Sequence, residues 1–525
     1  MRSWSDGSAF LIVSGTWRLF QIRHTSSQLR HVFARTVEDV LAQAVTYCLV
    51  GLEPRRVEVE AHLQRAVPAF AIVGLADRAC QEAKERVRSG VASAQLEWPR
   101  FRITVNLAPA ELRKIGSGFD LPIALSILAA SRQVPEERLA EHVAFGELAL
   151  DGRVRPVNGV LAVAEGASGA GIDRVLCAAE STPEAALAGI DVVPVRHLAE
   201  AVAYLRGERD PPRYVASNGH HAVVAAPDLA DVLGQERPRR ALELAAAGGH
   251  NLLLAGPPGT GKTMLGRRLP GILPPLPPEE ALEVTRIHSV AGLLSPERPL
   301  VLNPPFRSPH HSTSTAAIVG GGPGPRPGEA SLAHRGVLLL DEMPEFQRPA
   351  LEALRQPLED GAISIARAGG RALFPARFQL VATMNLCPCG GRGDPRAECS
   401  CSAQRLAAFR DKLSRALLDR FDLVVTVPRP RAEELEVARG EASAAVAPRV
   451  AAGRERLSSG GLDRTSAADE LLSRAVERVP LSARGRAKVG RVARTAAALA
   501  GAEHVEAEHV AEALAYRTPA ELAAA

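Results

Sequence analysis

Apolar and polar positions in the first half of the chain change period repeatedly. Val57-Glu58-Val59-Glu60-Ala61-His62-Leu63 alternates with the period of two of a half-buried strand, and so does Phe101-Arg102-Ile103-Thr104-Val105-Asn106-Leu107. Between them, Ala69 to Leu75 is a short apolar run closed by Gly74, and Asp77 to Val91 carries its charges at helical spacing. Leu121 to Ala130 is apolar on all sides, which predicts a buried helix. Strands alternating with helices predict a mixed α/β unit over residues 37–206.

A polar, proline-containing stretch follows from Gly207 and runs through Ser217-Asn218-Gly219-His220-His221, marking a linker over 207–227. From Asp228 the pattern changes to apolar strands at Asn251–Ala255, Val337–Leu340, Phe378–Thr383 and Leu423–Val427, separated by helical or long-loop stretches. Runs without alternation are buried on both faces, so residues 228–430 are expected to form a parallel sheet covered by helices. Beyond Pro428-Arg429-Pro430 the chain is rich in Ala, Glu and Arg without strand patterns, which predicts a C-terminal helical subdomain over 431–525. Residues 1–36 sustain neither period; an extension and a misplaced start codon both stay open.

Composition narrows this picture little. A length of 525 residues suggests three or four folded units, at about 150 residues each. The 46% hydrophobic and 23% charged content excludes wholesale disorder. A formal charge of +4 is close to neutral, so any nucleic-acid surface must be local. Nearly all basic charge is arginine, with Lys84, Lys114, Lys262, Lys412 and Lys488 as the lysines, so a single arginine is weak evidence for a phosphate clamp. The apolar run Ala9 to Val13 is too short for a membrane span, and no membrane segment is expected.

Chemistry enters at the end of the first core strand. Gly256-Pro257-Pro258-Gly259-Thr260-Gly261-Lys262-Thr263 is a complete phosphate-binding loop between a strand and a helix. Its glycines let backbone N–H groups converge on phosphate oxygens, Lys262 reaches the outer phosphates, and Thr263 ligates magnesium. The apolar strand Val337–Leu340 ends in Asp341, expected to hold the magnesium through water, and in Glu342, expected to polarise the attacking water. Asn385 follows another strand and could orient the same water. Arg420 precedes the last strand, where a surface ion pair is the ordinary alternative to a catalytic role.

Cys387, Cys389, Cys399 and Cys401 form two close pairs across a glycine-rich loop, an insertion over 387–401. Four soft thiolates can close a tetrahedral zinc shell with no open position, so a structural zinc is favoured over free or redox-active thiols. Cysteines clustered in this way also favour a reducing cytoplasm over a secreted disulfide framework.

The order of these motifs resembles the AAA+ ATPases of the magnesium-chelatase and MCM-helicase branch. Pro305-Phe306-Arg307-Ser308-Pro309-His310-His311-Ser312, Pro327-Gly328-Glu329-Ala330-Ser331-Leu332-Ala333-His334 and Met384-Asn385-Leu386-Cys387-Pro388-Cys389-Gly390 resemble the YifB/ComM family within it. The resemblance spans roughly residues 45–517. It implies an AAA+ phosphate-loop core with a helical lid, ATP and Mg2+ as cofactors, and a homo-oligomeric, hexameric ring acting on single-stranded or branched DNA. By the same resemblance Asn385 is a sensor of the outer phosphate, Arg420 an arginine finger entering a neighbour's site, and Arg484 a lid arginine contacting the γ-phosphate. Branch migration during recombination of incoming DNA is the activity implied. A chelatase-like ATPase that remodels a protein partner and a nucleotide-controlled DNA-binding scaffold are the alternatives.

Arg113 to Leu121, with Gly146-Glu147-Leu148 and Asp151 to Val157, resembles the fold of the Lon protease catalytic domain. The places of that protease's serine and lysine are taken by Gly118 or Phe119 and by Leu161 or its neighbours, so proteolysis is disfavoured. Lys114 and Ser117 are read as turn chemistry, and this domain is expected to serve assembly or DNA engagement. For DNA contact, the resemblance points to the stretch Pro305 to Gly328 and to a hairpin from Ala362 to Phe374 carrying Arg367 and Arg371. A second basic surface is suggested by Arg484, Lys488 and Arg491, which recur on one side of a helix with Arg486 and Arg494 nearby. His310 and His311 read as polar loop contacts rather than ligands.

Overall fold

The computed structural model describes residues 12–13, 16–17, 40–210, 214, 226–322, 325–367, 370–430, 433, 436, 440–478 and 482–517. Most of the unassigned N-terminal stretch and the linker residues 215–225 lie outside these.

The alternating segments become strands of a mixed seven-stranded sheet, ordered Asp191–Val195, Arg174–Ala178, His142–Phe145, Val40–Val50, Glu53–Gln64, Arg102–Ala108 and Ala69–Val73. Val57, Val59, Ala61 and Leu63 point inward, as do Ile103, Val105 and Leu107. Gly74 ends its strand at φ +105°, and a Cβ there would meet the Leu107 carbonyl oxygen at 2.3 Å, so the turn admits only glycine. The helix Asp120–Ala130 is buried along its whole length between this sheet and the amphipathic helix Arg78–Ser93. Asp120 is accommodated there by a two-bond pair with Arg86 at 2.6 and 3.0 Å. Burial nevertheless raises the Asp120 carboxyl to about 6.

The second sheet is five-stranded and wholly parallel, ordered Phe306–Arg307, Val337–Leu340, Gln379–Met384, Leu252–Ala255 and Leu423–Thr426. Parallel strands need helical crossovers and bury both faces, which is why these runs read as continuously apolar. One face packs on the helix Glu236–Gly248 and on C-terminal helices, burying Leu242, Leu252, Val446, Val450, Val489 and Ala496 in one core. The other buries Leu253, Leu338, Leu380 and Phe374.

Phe306–Arg307 is an edge strand of this sheet, pairing with Val337 and Leu338. The start of the Pro305 to Gly328 stretch is therefore structural rather than a free loop. Arg307 is tied to Glu329 through two bonds of 2.6 and 2.8 Å, which spans the next family-like string.

The C-terminal helices Ser443–Ser459, Ser466–Arg478, Ala483–Ala500 and Ala507–Ala515 pack on one another and on Glu236–Gly248. Lys488 does not contribute to a basic outer surface. It is buried, and its ammonium donates to the carbonyls of Asp419 and Phe421, while Arg491 pairs with Asp422 at 3.0 Å. The i, i+4, i+7 spacing put these residues on one side of the helix correctly. Of the three, Lys488 is buried against the core strands, while Arg484 and Arg491 are exposed.

The two sheets are joined by the helix Pro278–Ala291. Its Arg286 forms a double ion pair with Glu165, both bonds 2.7 Å, and its Ser289 donates to the buried carboxylate of Glu184.

Candidate functional site

The phosphate loop leaves the C-terminal end of the strand Leu252–Ala255, between the strands Gln379–Met384 and Leu423–Thr426. Gly256 donates its N–H to Met384 O at 3.1 Å. A Cβ at Gly256 would meet Val427 O at 2.3 Å, so neighbouring strands clamp the loop's first residue. Gly259 and Gly261 take φ of +74° and +84°, which turns successive N–H groups toward one concavity. Thr260 Oγ1 donates to Pro257 O at 3.0 Å, and Gln235 Nε2 donates to Thr260 O at 2.7 Å. The sequence carries no signal for Gln235, since nothing in it links that residue to a loop more than twenty residues on.

Lys262 lies within this concavity, donating to Gly256 O, Pro257 O and Asn385 Oδ1 at 2.9, 2.6 and 3.1 Å. Burial pulls its pKa down, against the opposing pull of Asp341 and Glu342. The Asn385 contact brings the phosphate-loop lysine and the Asn-ended strand into one site.

Thr263 Oγ1 donates to Asp341 Oδ1 at 2.7 Å, joining the two residues expected to hold magnesium. The same carboxylate oxygen accepts from Thr383 Oγ1 at 2.7 Å, and that hydroxyl in turn accepts from the Glu342 N–H at 2.9 Å. Thr383 thus fixes Asp341 and Glu342 together. Glu342 sits at φ +53°, a left-handed turn that separates its exposed side chain from that of Asp341. The signal for Thr383 was a lone hydroxyl near the end of an apolar strand, but only the pairing of Leu340 with Ala382 puts it beside Asp341.

Arg420 is elsewhere. Asn251, at the N-terminal end of the phosphate-loop strand, donates through Nδ2 to Arg420 O at 3.0 Å, and Asp422 Oδ2 accepts from the Asn251 N–H at 3.1 Å. In a parallel sheet this is the end opposite the phosphate loop, roughly 16 Å away at strand rise. The Arg420 side chain makes an ion pair with Glu359, and Arg484 stands 4.0 Å from the same carboxylate. Burial and the charges of Arg484 and Arg355 lower the pKa of Arg420. Two guanidinium groups share the Glu359 carboxylate, while Arg355 pairs with Glu352 at 2.9 Å; the group stands beside an open cavity of about 530 Å³ lined by Glu359, Asn251, Gly336 and Gln379. Neither Arg420 nor Arg484 lines its own chain's phosphate loop.

The hairpin is formed by Ala362–Arg367 and Gly370–Pro375. Ile363, Ile365, Ala372 and Phe374 face the core, and a Cβ on Gly51 of the first sheet's turn would meet Ala372 Cβ at 3.0 Å. Arg371 is exposed on the outer face, with Nε donating to Ser364 Oγ at 2.6 Å. Arg367 lies in the strand; its side chain is outside the described residues. His310 Nδ1 meets Ser312 Oγ at 2.8 Å, a polar loop contact.

The four cysteine sulfurs converge within 4.8 Å of one another. Cys387 to Cys389 is 3.3 Å and Cys389 to Cys399 is 3.7 Å, and Cys387 is buried while Cys389 and Cys399 are exposed. Hydrogen bonding, first from the Gly391 N–H, holds the Cys389 thiol down at about 5. Around Gly118 a serine would not fit, since a Cβ there falls 2.4 Å from the Phe145 ring. Leu161 is fully buried and Lys114 is buried with its amine on Pro109 O, so among the described residues no Ser–Lys pair is assembled there.

Residues 228–435 match the family model described as magnesium chelatase, subunit ChlI, residues 59–181 that of subunit ChlI of Mg-chelatase, and residues 440–517 that of its C-terminal part. A Mycobacterium tuberculosis protein is 46% identical over 91% of this chain and 98% of its own length. The YifB protein of Salmonella typhimurium and the competence protein ComM of Haemophilus influenzae are each 40% identical, over 91% of this chain and 97% of their own. Matches that cover both sheets and the helical group, with near-complete alignment to YifB and ComM, show that the chain belongs to the YifB/ComM family of magnesium-chelatase-like AAA+ proteins.

Proposed function

We propose that the chain is an ATPase that assembles into a ring of identical subunits, six in number, and couples hydrolysis to movement of DNA, including branch migration. The observation that carries this reading is the separation of Arg420 from its own phosphate loop by the length of the strand Leu252–Ala255. An arginine used in hydrolysis from that position acts on the next subunit. Arg484, beside the same Glu359, would enter with it and contact the γ-phosphate there. The surplus positive charge of Arg420 and Arg484 over their shared Glu359 suits the phosphates of a neighbour's nucleotide.

Within one subunit, Lys262 and the loop's N–H groups neutralise and orient the phosphates. Thr263 and Asp341 would hold magnesium, which offsets charge on the β- and γ-oxygens when bound. Glu342 accepts a proton from the attacking water, and Asn385 orients that water while withdrawing from Lys262.

For the DNA step, support comes from the relative named as a competence protein and from Arg371 on the outer face of the hairpin. Arg367 and Arg371 would neutralise backbone phosphates, a sequence-independent contact. The N-terminal sheet, Lon-like by sequence and, among the described residues, without an assembled Ser–Lys pair, would serve assembly or DNA engagement in the cytoplasm. Among the described residues, no helix is long and apolar enough to cross a membrane.

Hydrolysis measured with and without single-stranded DNA, followed by strand displacement on a branched substrate, tests the proposal. Stimulation by DNA with branch movement is expected. Hydrolysis indifferent to DNA with no branch movement would favour a chelatase-like remodeller of a protein partner, the reading that the subunit ChlI models support.

A further inference from the structure

The cysteine loop leaves the strand Gln379–Met384 immediately after Asn385 and returns along the rim of the nucleotide site. It touches that site at three points. Asn385 accepts from Lys262 Nζ at 3.1 Å. Gly390, at φ +80°, packs so closely on the phosphate loop that a Cβ would lie 2.9 Å from the ring carbons of Pro258. Asp394 pairs with Arg429 at 2.7 Å, just beyond Val427, whose carbonyl crowds Gly256.

The loop has little else to hold its shape. Residues 388–401 contain no helix or strand, and of them only Gly390 is buried. What converges is sulfur. A tetrahedral ion with metal–sulfur distances of about 2.3 Å requires sulfur separations of about 3.8 Å. The separations of 3.3 and 3.7 Å, with all four atoms within 4.8 Å, match that shell. They are too long for a disulfide, whose sulfurs lie about 2.05 Å apart. Such closeness suits one ion rather than a multi-iron cluster, in which metal atoms hold the cysteine sulfurs farther apart. The Arg392 N–H donates to Cys387 Sγ at 3.2 Å, the kind of outer contact that stabilises a bound thiolate.

We propose that Cys387, Cys389, Cys399 and Cys401 bind one zinc ion and that the loop so closed braces the phosphate loop through Gly390 and Pro258. Binding converts the thiols to thiolates and releases their protons to solvent. The metal is then structural, and its loss loosens Pro258 and the Asn385 carbonyl that positions Lys262. The bracing half of the proposal rests on the nucleotide-site reading; the zinc half does not.

Elemental analysis of the full chain purified without added metal is expected to give about one zinc per chain, lost in a Cys399→Ser, Cys401→Ser variant. Affinity for a fluorescent ATP analogue is then measured for three samples: the zinc-loaded chain, the same chain stripped by a thiol reagent and chelator, and Gly390→Ala. Gly390→Ala keeps the four ligands but forces Pro258 aside, so it is expected to retain zinc and bind nucleotide about tenfold more weakly. Stripping is expected to weaken binding similarly, and reduction with added zinc to restore it. The stripped and restored samples serve if the double serine variant does not fold. Zinc far below one per chain overturns the metal site. Full zinc with unchanged affinity after stripping and in Gly390→Ala overturns the bracing. A zinc-loaded chain that binds no nucleotide also overturns the bracing, and traces the failure to the nucleotide reading instead.

Discussion

Asn251 donates through Nδ2 to the carbonyl of Arg420 at 3.0 Å, anchoring the arginine at the end of the strand Leu252–Ala255 farthest from the phosphate loop. A single chain therefore carries the loop at one end of its sheet and the arginine patch at the other. Head-to-tail association would bring the two ends together at every interface, the geometry that generates rings.

Replacing Arg420 by Ala should lower the turnover of the assembled protein by about 10³-fold, the low end of the range for arginine fingers. Binding of a fluorescent ATP analogue to the isolated chain should be unchanged, because the loop at the other end is intact. Loss of nucleotide affinity in the isolated chain would place Arg420 in its own site.

Thr383→Val should cost about 1–3 kcal/mol of stability, since it orphans the Glu342 N–H and removes a donor from Asp341. Turnover should fall by about 10–100-fold with the carboxylates no longer fixed together. Thr383→Ser restores the hydroxyl and should recover most of it. Steady-state kinetics and thermal melting check both, and a fully active valine variant would remove Thr383 from the site.

His250 links the core to the C-terminal helices. Thr495 Oγ1 donates to Arg491 O at 3.1 Å, so it accepts from His250 Nε2 at 2.8 Å. Burial lowers the folded-state pKa of His250 to about 4 from 6.5. The unfolded chain then binds the extra proton first on acidification, so the contribution of neutral His250 is present above pH 6.5 and is lost as pH falls toward 4. Asp120, raised to about 6, acts oppositely in nearly the same window, so the whole-chain melting curve mixes the two. The difference in Tm between the parent and His250→Gln isolates the histidine. That difference should shrink between pH 6.5 and 4, where a shift of this size corresponds to about 3 kcal/mol. A constant difference would mean that His250 does not titrate there.

Arg371→Ala should weaken DNA binding equally across sequences and reduce the slope of log affinity against log salt by about one. An unchanged slope would take the hairpin's outer face off the DNA path.

Much of the core was legible because its signals are local. The phosphate loop, the Asp341-Glu342 strand end and the buried helix around Leu125 are each written in adjacent residues. What sequence concealed depends on neighbours. Thr383 matters through strand register, Glu359 through a fold that brings it against Arg420, and Lys488 through which way its helix faces. Helical spacing reveals that residues share a side, but the carbonyls of Asp419 and Phe421 that receive Lys488 come from a loop no periodicity marks. The Pro305 string was likewise opaque: two residues suffice for an edge strand when Val337 and Leu338 supply the partner.

The central claim is that a site built from one chain's Lys262, Asp341 and Glu342 is finished by another chain's Arg420. Arg420→Ala and Glu342→Gln should each be nearly inactive alone, one lacking the arginine it offers and the other its own base. Co-assembled, an Arg420→Ala subunit keeps Glu342 and receives Arg420 from a Glu342→Gln neighbour, so some interfaces become complete. Hydrolysis by the mixed assembly well above the sum of the two separate variants is the predicted result. Mixed assemblies no more active than that sum would contradict it.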